Sequence, residues 1–409
     1  MFPVKITAVM KNYIQTILLL LGVAIGAACG ALAGPSASIV KPVGEIFLNL
    51  TFVLVVPVVF FSVANSVRKL TTEKKLWRVL SRAVLVFLAG SLIAGVLTWI
   101  ICGFWNPLGG YATKIPPERT MVEGVAIGGK DLLKTIENMF TVSDFHMLLS
   151  KDNLVPLIVF SALFGAATSL SSAKGEAMGR FLESGMEVVM EFMRILMYAA
   201  PVCLGCYFAD LVGSLGGQIV SSFVNCVLLY LVVIGILYFG VNSIYVALAG
   251  GKDKLYTFWR NMTEPSLLAV ATCSSAATIP TSIKSAKKMG VDDSVAESVI
   301  PLGINLNKDG SVVSSVLKTV FVVSFYGLGG YGCLTVVAIG ILASLVVGAI
   351  PVGGMTAEIL ICSILGVDPE FAATLLVIST LVDIPATLLN TADNLVSAVW
   401  VDKLCGRKV

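Results

Sequence analysis

Six charge-free stretches, at residues 12–40, 46–67, 83–104, 153–173, 211–251 and 319–357, constrain this chain more than anything else in it. A helix needs roughly 20 apolar residues to cross the hydrocarbon core of a bilayer, and every one of these stretches is long enough. Charged residues make up 13% of the 409, against about 25% in a soluble domain. The sequence therefore reads as an all-α polytopic membrane protein whose first partner is the lipid bilayer.

Charge placement gives an orientation. Arg68, Lys69, Lys74, Lys75, Arg78 and Arg82 lie between the second and third stretches with one acid, Glu73. Short basic loops face the cytoplasm, so the amino terminus is expected inside. Lys403, Arg407 and Lys408 put the carboxyl terminus on the same side. The location expected is the cytoplasmic (inner) membrane, with multiple passes. The first stretch runs past signal-peptide length without a small-residue cleavage site, and reads as a spanning helix. A net charge of +3 reflects this topology and predicts no nucleic-acid partner.

Enzymatic signals are absent from the sequence. It contains no HExxH, Walker or GxSxG motif, and its one histidine, His146, cannot build a zinc site alone. Nine cysteines include a CxxC at Cys203 and Cys206, which inside an apolar run reads as small packing residues. The chain is read as no enzyme, with no cofactor.

Two textures divide the chain. Residues 1–82 hold the first two spanning helices and the basic loop, and 83–264 hold further helices with an extracellular loop at 106–150. Gly22, Gly26, Gly30 and Gly34 recur every fourth residue, which puts small residues on one face for close helix packing. Glu187, Glu191 and Arg194 stand at helical spacing and predict a local ion pair. Residues 265–409 differ. "ATCSSAATIPTS" (271–282) and "VVGAIPVGG" (346–354) interrupt apolar sequence around Pro280 and Pro351. Each is followed by a polar stretch, "NLNKDGS" (305–311) and then "LNTADN" (389–394). The pattern predicts a repeat of hairpin plus broken helix, and paired interrupted segments mark binding sites in secondary transporters. Asp309, Asp383 and Asp393 fall in or beside these breaks. A carboxylate in a membrane is costly unless it meets a partner or an ion.

These residues resemble the glutamate transporter homologues, the dicarboxylate/amino acid:cation symporters. "CSSAATIP" is similar to the family's first hairpin tip and "NKDGS" to its NMDGT signature. "AIPVGG" resembles the second hairpin tip, and "DIPATLLNTADN" the D-x-x-R-T-x-x-N-x-x-x-D motif of the last helix. "WNPLGG" (105–110) and "YAAP" (198–201) extend the likeness along the chain, and the wording leans to the serine/threonine branch. The resemblance implies eight transmembrane helices, two re-entrant helical hairpins, a homotrimer and an elevator mechanism, in which the last third slides against a scaffold. It implies that Asp383 receives a substrate amino group, that Thr387 and Asn390 contact substrate, and that Ser274 and Ser275 receive its carboxylate. Ser311, with Ile350 and Gly353 of the second tip, joins that substrate set. Asn307 and Asp309 match sodium ligands.

The departures carry information too. The family's arginine for an acidic side chain falls at Ala386, and another, before the serine tip, at Cys273. Without a guanidinium a second carboxylate lacks a bidentate partner, which favours a small neutral amino acid such as serine, threonine or alanine. Lys308 or Lys318 reaching in from elsewhere keeps a dicarboxylate or acidic amino acid open. The last family aspartate falls at Asn394, with Asp393 one residue early, and third-helix ligands align with Phe87, Gly90 and Ser91. The coupling ion is expected to be sodium or a proton. Lys308 replaces the signature's methionine. It is expected either to stand in for a cation, as a tethered charge or proton carrier, or to pair structurally with Asp309 or Asp383. A channel or sensor built on the same fold is the alternative of another class.

Overall fold

The computed structural model describes residues 3–72, 77–108, 141–150, 153–215, 218–329, 331–348 and 356–406. Among them the chain is helical and has no strand. The α-helices are α1 (Pro3–Ala33), α2 (Lys41–Thr72), α3 (Trp77–Phe104), α4 (Leu154–Leu170), α5 (Glu176–Leu215), α6 (Gln218–Gly235), α7 (Asn242–Thr272), α8 (Ile279–Lys288), α9 (Asp293–Leu306), α10 (Asp309–Phe325), α11 (Cys333–Gly348), α12 (Thr356–Leu365) and α13 (Ala372–Leu404). Five stretches of the described residues are long and apolar enough to cross a membrane: Ile17–Asn65, Ser81–Phe104, Ala173–Ser214, Ile219–Thr272 and Pro369–Leu404. The first and fourth, at 49 and 54 residues, exceed twice the roughly 20 residues of one crossing.

Two packing groups divide these helices. In one, α1, α2, α4 and α5 lie against each other; in the other, α3 and α7 to α12 gather around α13 and α10. The glycine stripe explains the first group. A Cβ on Gly22, Gly26 or Gly30 would come within 2.1, 1.9 or 2.2 Å of the carbonyl oxygens of Pro201, Gly205 and Ala209 on α5. Backbone meets backbone there, as only glycine allows. Gly34 joins that contact by its carbonyl instead, which would stand 2.3 Å from a Cβ on Gly213 of α5; its own Cβ position faces open space, and with φ +59 it ends α1 in the left-handed region. Gly26→Ala is expected to cost about 3 kcal/mol, the upper end for overpacking, read as a fall in thermal unfolding midpoint. Gly103→Ala, where an added Cβ meets nothing within 4 Å, should be neutral or slightly stabilising.

In the second group α7 breaks at Gly250 and Gly251, whose backbone leaves the helical region. Residues 252–272 then run antiparallel to α8. Ser285 Oγ donates to the Asn261 carbonyl at 2.9 Å and Lys284 pairs with Glu264 at 3.3 Å. This is the first expected hairpin. The α11 and α12 helices pack together as the arms of the second; its tip, with Ile350, Pro351 and Gly353, lies outside the described residues, as does most of the loop expected at 106–150. The predicted ion pair on α5 forms between Glu191 and Arg194.

One of the two expected breaks does not open. The chain leaves the helix at Asn307 and Lys308, whereas α13 runs unbroken through 389–394. Within 389–394 the polar side chains reach neighbouring elements, apart from Thr391, whose hydroxyl donates back to the Thr387 carbonyl. The helix keeps its ladder there.

Candidate functional site

A break in a buried helix frees backbone groups that must find partners. One face of α13 supplies them through residues spaced i, i+4 and i+7. Asn390 Oδ1 accepts from the Gly310 N–H at 2.9 Å. Asn307 Nδ2 donates to Asn394 Oδ1 at 3.2 Å and to Ser397 Oγ at 3.0 Å. From the other side the Tyr230 hydroxyl donates to the Gly310 carbonyl at 3.0 Å. Glycines let these groups close in, since a Cβ on Gly303 would sit 2.1 Å from Asn394 Oδ1 and one on Gly310 2.5 Å from the Ala386 carbonyl. The break is a built feature.

Asp309 opens α10 and is 7% exposed. Ser91 Oγ on α3 donates to its Oδ1 at 2.7 Å, and Gly90 leaves room for its Oδ2. The alignment that offered Gly90 and Ser91 thus brings both onto Asp309. Asp393 and Asn394 are neighbours about 100° apart around the helix, and they face different partners. Asn394 turns to Asn307, while Asp393 Oδ1 accepts from Asn242 Nδ2 on α7 at 2.8 Å.

Asp383 stands one turn before Thr387 on α13 and opens onto solvent-accessible space, while Thr387 and Asn390 are buried. Lys308 interacts electrostatically with Asp383. Either expectation for this lysine, a tethered charge or a structural pair with an acid, leaves it acting on Asp383. Ser274 and Ser275 sit half-buried at the first hairpin tip, just after Cys273, the one non-glycine residue with positive φ (+48) among those described. Thr272 Oγ1 accepts the Ser274 N–H at 3.3 Å, which holds the tip in shape. Ser311 is half-buried in the first turn of α10.

Lys318 does not reach toward the site, against one expectation. It is buried, with its ammonium 2.5 Å from Glu358 Oε1 on α12 and 2.7 Å from Ser379 Oγ on α13. Residue patterns passed over three participants. Glu358 was legible as a lone acid in the apolar arm "TAEILICSIL"; Asn242 and Tyr245 were hidden in a run notable only for lacking charge.

Sealed polar groups around an unwound backbone are the construction of a solute carrier, which must hold a polar passenger inside apolar surroundings. The chain belongs to the sodium:dicarboxylate symporter family, whose sequence model matches residues 16–404. That family is one of symporters and not of enzymes. Among similar proteins, a C4-dicarboxylate transport protein of Rhizobium etli is 28% identical over 301 residues, covering 70% of this chain and 65% of the relative. Another of that name from Rhizobium leguminosarum is 26% identical over 325 residues, 77% of this chain and 70% of the relative. A proton/sodium-glutamate symport protein of Bacillus caldotenax is 24% identical over 383 residues, 91% of this chain and 89% of that one. The chain thus spans just under two thirds of the Rhizobium etli relative's length.

Proposed function

We propose that the protein is a secondary active transporter that carries a small neutral amino acid of the serine, threonine or alanine kind, together with a cation, across the cytoplasmic membrane. What supports this reading is the place of the Asp383 carboxylate, one turn before Thr387 on α13 and open to solvent-accessible space, with the Lys308 charge acting on it. A pair of opposite charges has no net charge, and it is complementary to a zwitterion. The substrate ammonium takes Asp383, and its carboxylate takes the serine tip at Ser274 and Ser275 with Lys308 nearby. A buried charge without a partner is costly, so a dianion would leave one carboxylate uncompensated unless extra cations enter with it. Thr387, Asn390 and Ser311 complete the pocket, to which the family resemblance adds Ile350 and Gly353. In this reading the second packing group moves against α1, α2, α4 and α5 as an elevator within a homotrimer, with both termini cytoplasmic. Sodium or a proton is the coupling ion.

A second reading, with a C4-dicarboxylate or glutamate as substrate, is favoured by the names of the relatives. Counterflow separates the two. Proteoliposomes loaded with unlabelled serine should concentrate labelled serine saturably, and succinate and glutamate should compete poorly. Strong competition by succinate with none by serine reverses the assignment, and unsaturable flux with either solute points to a channel.

Lys308→Met tests the lysine directly. Pairing with Asp383 predicts an altered KM for serine and an unchanged steepness of sodium dependence. A role as a tethered cation predicts instead that the Hill coefficient for sodium rises, by up to about one.

A further inference from the structure

A polar junction crosses the seam between the two packing groups at the turn that joins α12 to α13. Gly366 leaves α12 with φ +65, and Asp368 Oδ1 accepts the Glu370 N–H at 2.9 Å, which shapes the turn Pro369–Phe371. The Glu370 carbonyl faces α5, where the Tyr207 hydroxyl donates to it at 3.0 Å. The Glu370 carboxylate lies 3.8 Å from the ammonium of Lys41, the first residue of α2. This short turn thus meets two helices of the other group.

Tyr207 is set for this contact. A Cβ on Gly44 of α2 would come 2.9 Å from Tyr207 Cβ, so the missing side chain lets the tyrosine lie close on α2, 6% exposed. A buried tyrosine hydroxyl normally finds a partner, and one left without it costs stability. Sliding the second group along the first would part this hydroxyl from the Glu370 carbonyl. Rings continue the seam. Phe208, next to Tyr207, has its ring centre 5.7 Å from that of Phe223 on α6, which packs on α10 and α13. Phe223 stacks on Phe321, and Phe321 on Phe371, the neighbour of Glu370. Lys41 and Glu370 are by contrast 34% and 42% exposed, where an ion pair adds little. Such a junction biases a position without locking it.

We infer that the Glu370 turn is a catch, which Tyr207 and Lys41 of the first group hold when the second group stands at the outer end of its travel. The inference rests on the elevator reading above. The end is the outer one because Lys41 opens α2 and Glu370 precedes α13. The basic residues that mark the cytoplasmic side, Arg68 and Lys403, stand at the far ends of these two helices. A carrier waiting at the outer end is the form that collects solute from outside. A bias of a few-fold enlarges that population without stopping the return.

The test is the distance between spin labels carried on unnatural amino acids at positions 32 and 104, where Leu32 of α1 and Phe104 of α3 are 90% and 91% exposed. It is read by pulsed electron resonance on the full-length protein in lipid nanodiscs without substrate, with labelled chains diluted among unlabelled ones. Wild type should show two distances, the one for the outer position favoured. Tyr207→Phe keeps the ring beside Gly44 and so the fold, and should lower the ratio of outer to inner by about two- to tenfold, the range of one net hydrogen bond. Lys41→Met and Glu370→Gln should each lower it by up to about fivefold, and the double variant no further than either alone. Glu45→Gln, which breaks only the Lys41–Glu45 pair at 2.9 Å inside α2, should not lower it. The catch is overturned if two distances persist and Tyr207→Phe leaves their ratio unchanged, or if the Lys41 and Glu370 shifts add. A single distance in wild type and every variant instead fails the elevator reading, and the catch falls with it.

Discussion

Lys318→Met should destabilise the protein by roughly 3–5 kcal/mol, because it strands a buried carboxylate. Glu358 is 2% exposed; its Oε1 accepts from Lys318 and from Ser379 at 2.5 Å, and its Oε2 has no partner among the described residues. The same cost is expected for Glu358→Leu, which strands the lysine. The double variant Lys318→Met with Glu358→Leu removes both charges together, and well-packed apolar replacements of a buried pair are often neutral or stabilising. It should therefore unfold within about 1 kcal/mol of wild type, well above either single variant in denaturant titrations in detergent. Additive losses in the double variant would show that the ion pair is not what holds α12 to α10 and α13.

Asp383→Asn is expected to lower the affinity for a zwitterionic substrate by about a hundredfold, within the 2–5 kcal/mol typical of removing one partner of a charge pair that the bound ligand buries. Two effects act together. The substrate ammonium loses its acceptor, and Lys308 loses the acid that balances it. A pocket with a net positive charge then selects anions, so succinate should become the better competitor in the counterflow assay. Thermal shifts with each solute read the same change without transport. Should Asp383→Asn keep full serine affinity, the ammonium is bound elsewhere and the charge-pair account of specificity fails.

Much of this was legible in the residues, and the failures have physical causes. The hydrophobic runs disclosed helical structure because lipid leaves the backbone one hydrogen-bonding solution, but not every run is one crossing: 319–357 holds the end of α10 and the short α11. Polar residues marked the break at Asn307 and Lys308, where asparagine, lysine and a following glycine are poor helix material. The stretch 389–394 looked equally poor, yet it stays helical. Composition reports how many polar groups a segment holds and nothing about whether a neighbouring helix will take them. Asp393 shows the same limit: its position in the chain was plain, but its partner Asn242 stands 151 residues away. Lys318 was misread for that reason too, since its acid lies on another helix.

The glycine face of α1 has a consequence for how the chain is made. Gly22, Gly26 and Gly30 present bare backbone to carbonyls of Pro201, Gly205 and Ala209, which leave the ribosome about 180 residues later. At roughly 5–20 residues per second, the first helix waits on the order of ten to forty seconds for the surface that fits it. During that interval its groove faces lipid or the insertion machinery. A shallow notch of small residues is sticky only to a matching backbone, so the waiting helix offers little grip to wrong partners. The order of synthesis and the shape of the contact together protect the growing chain.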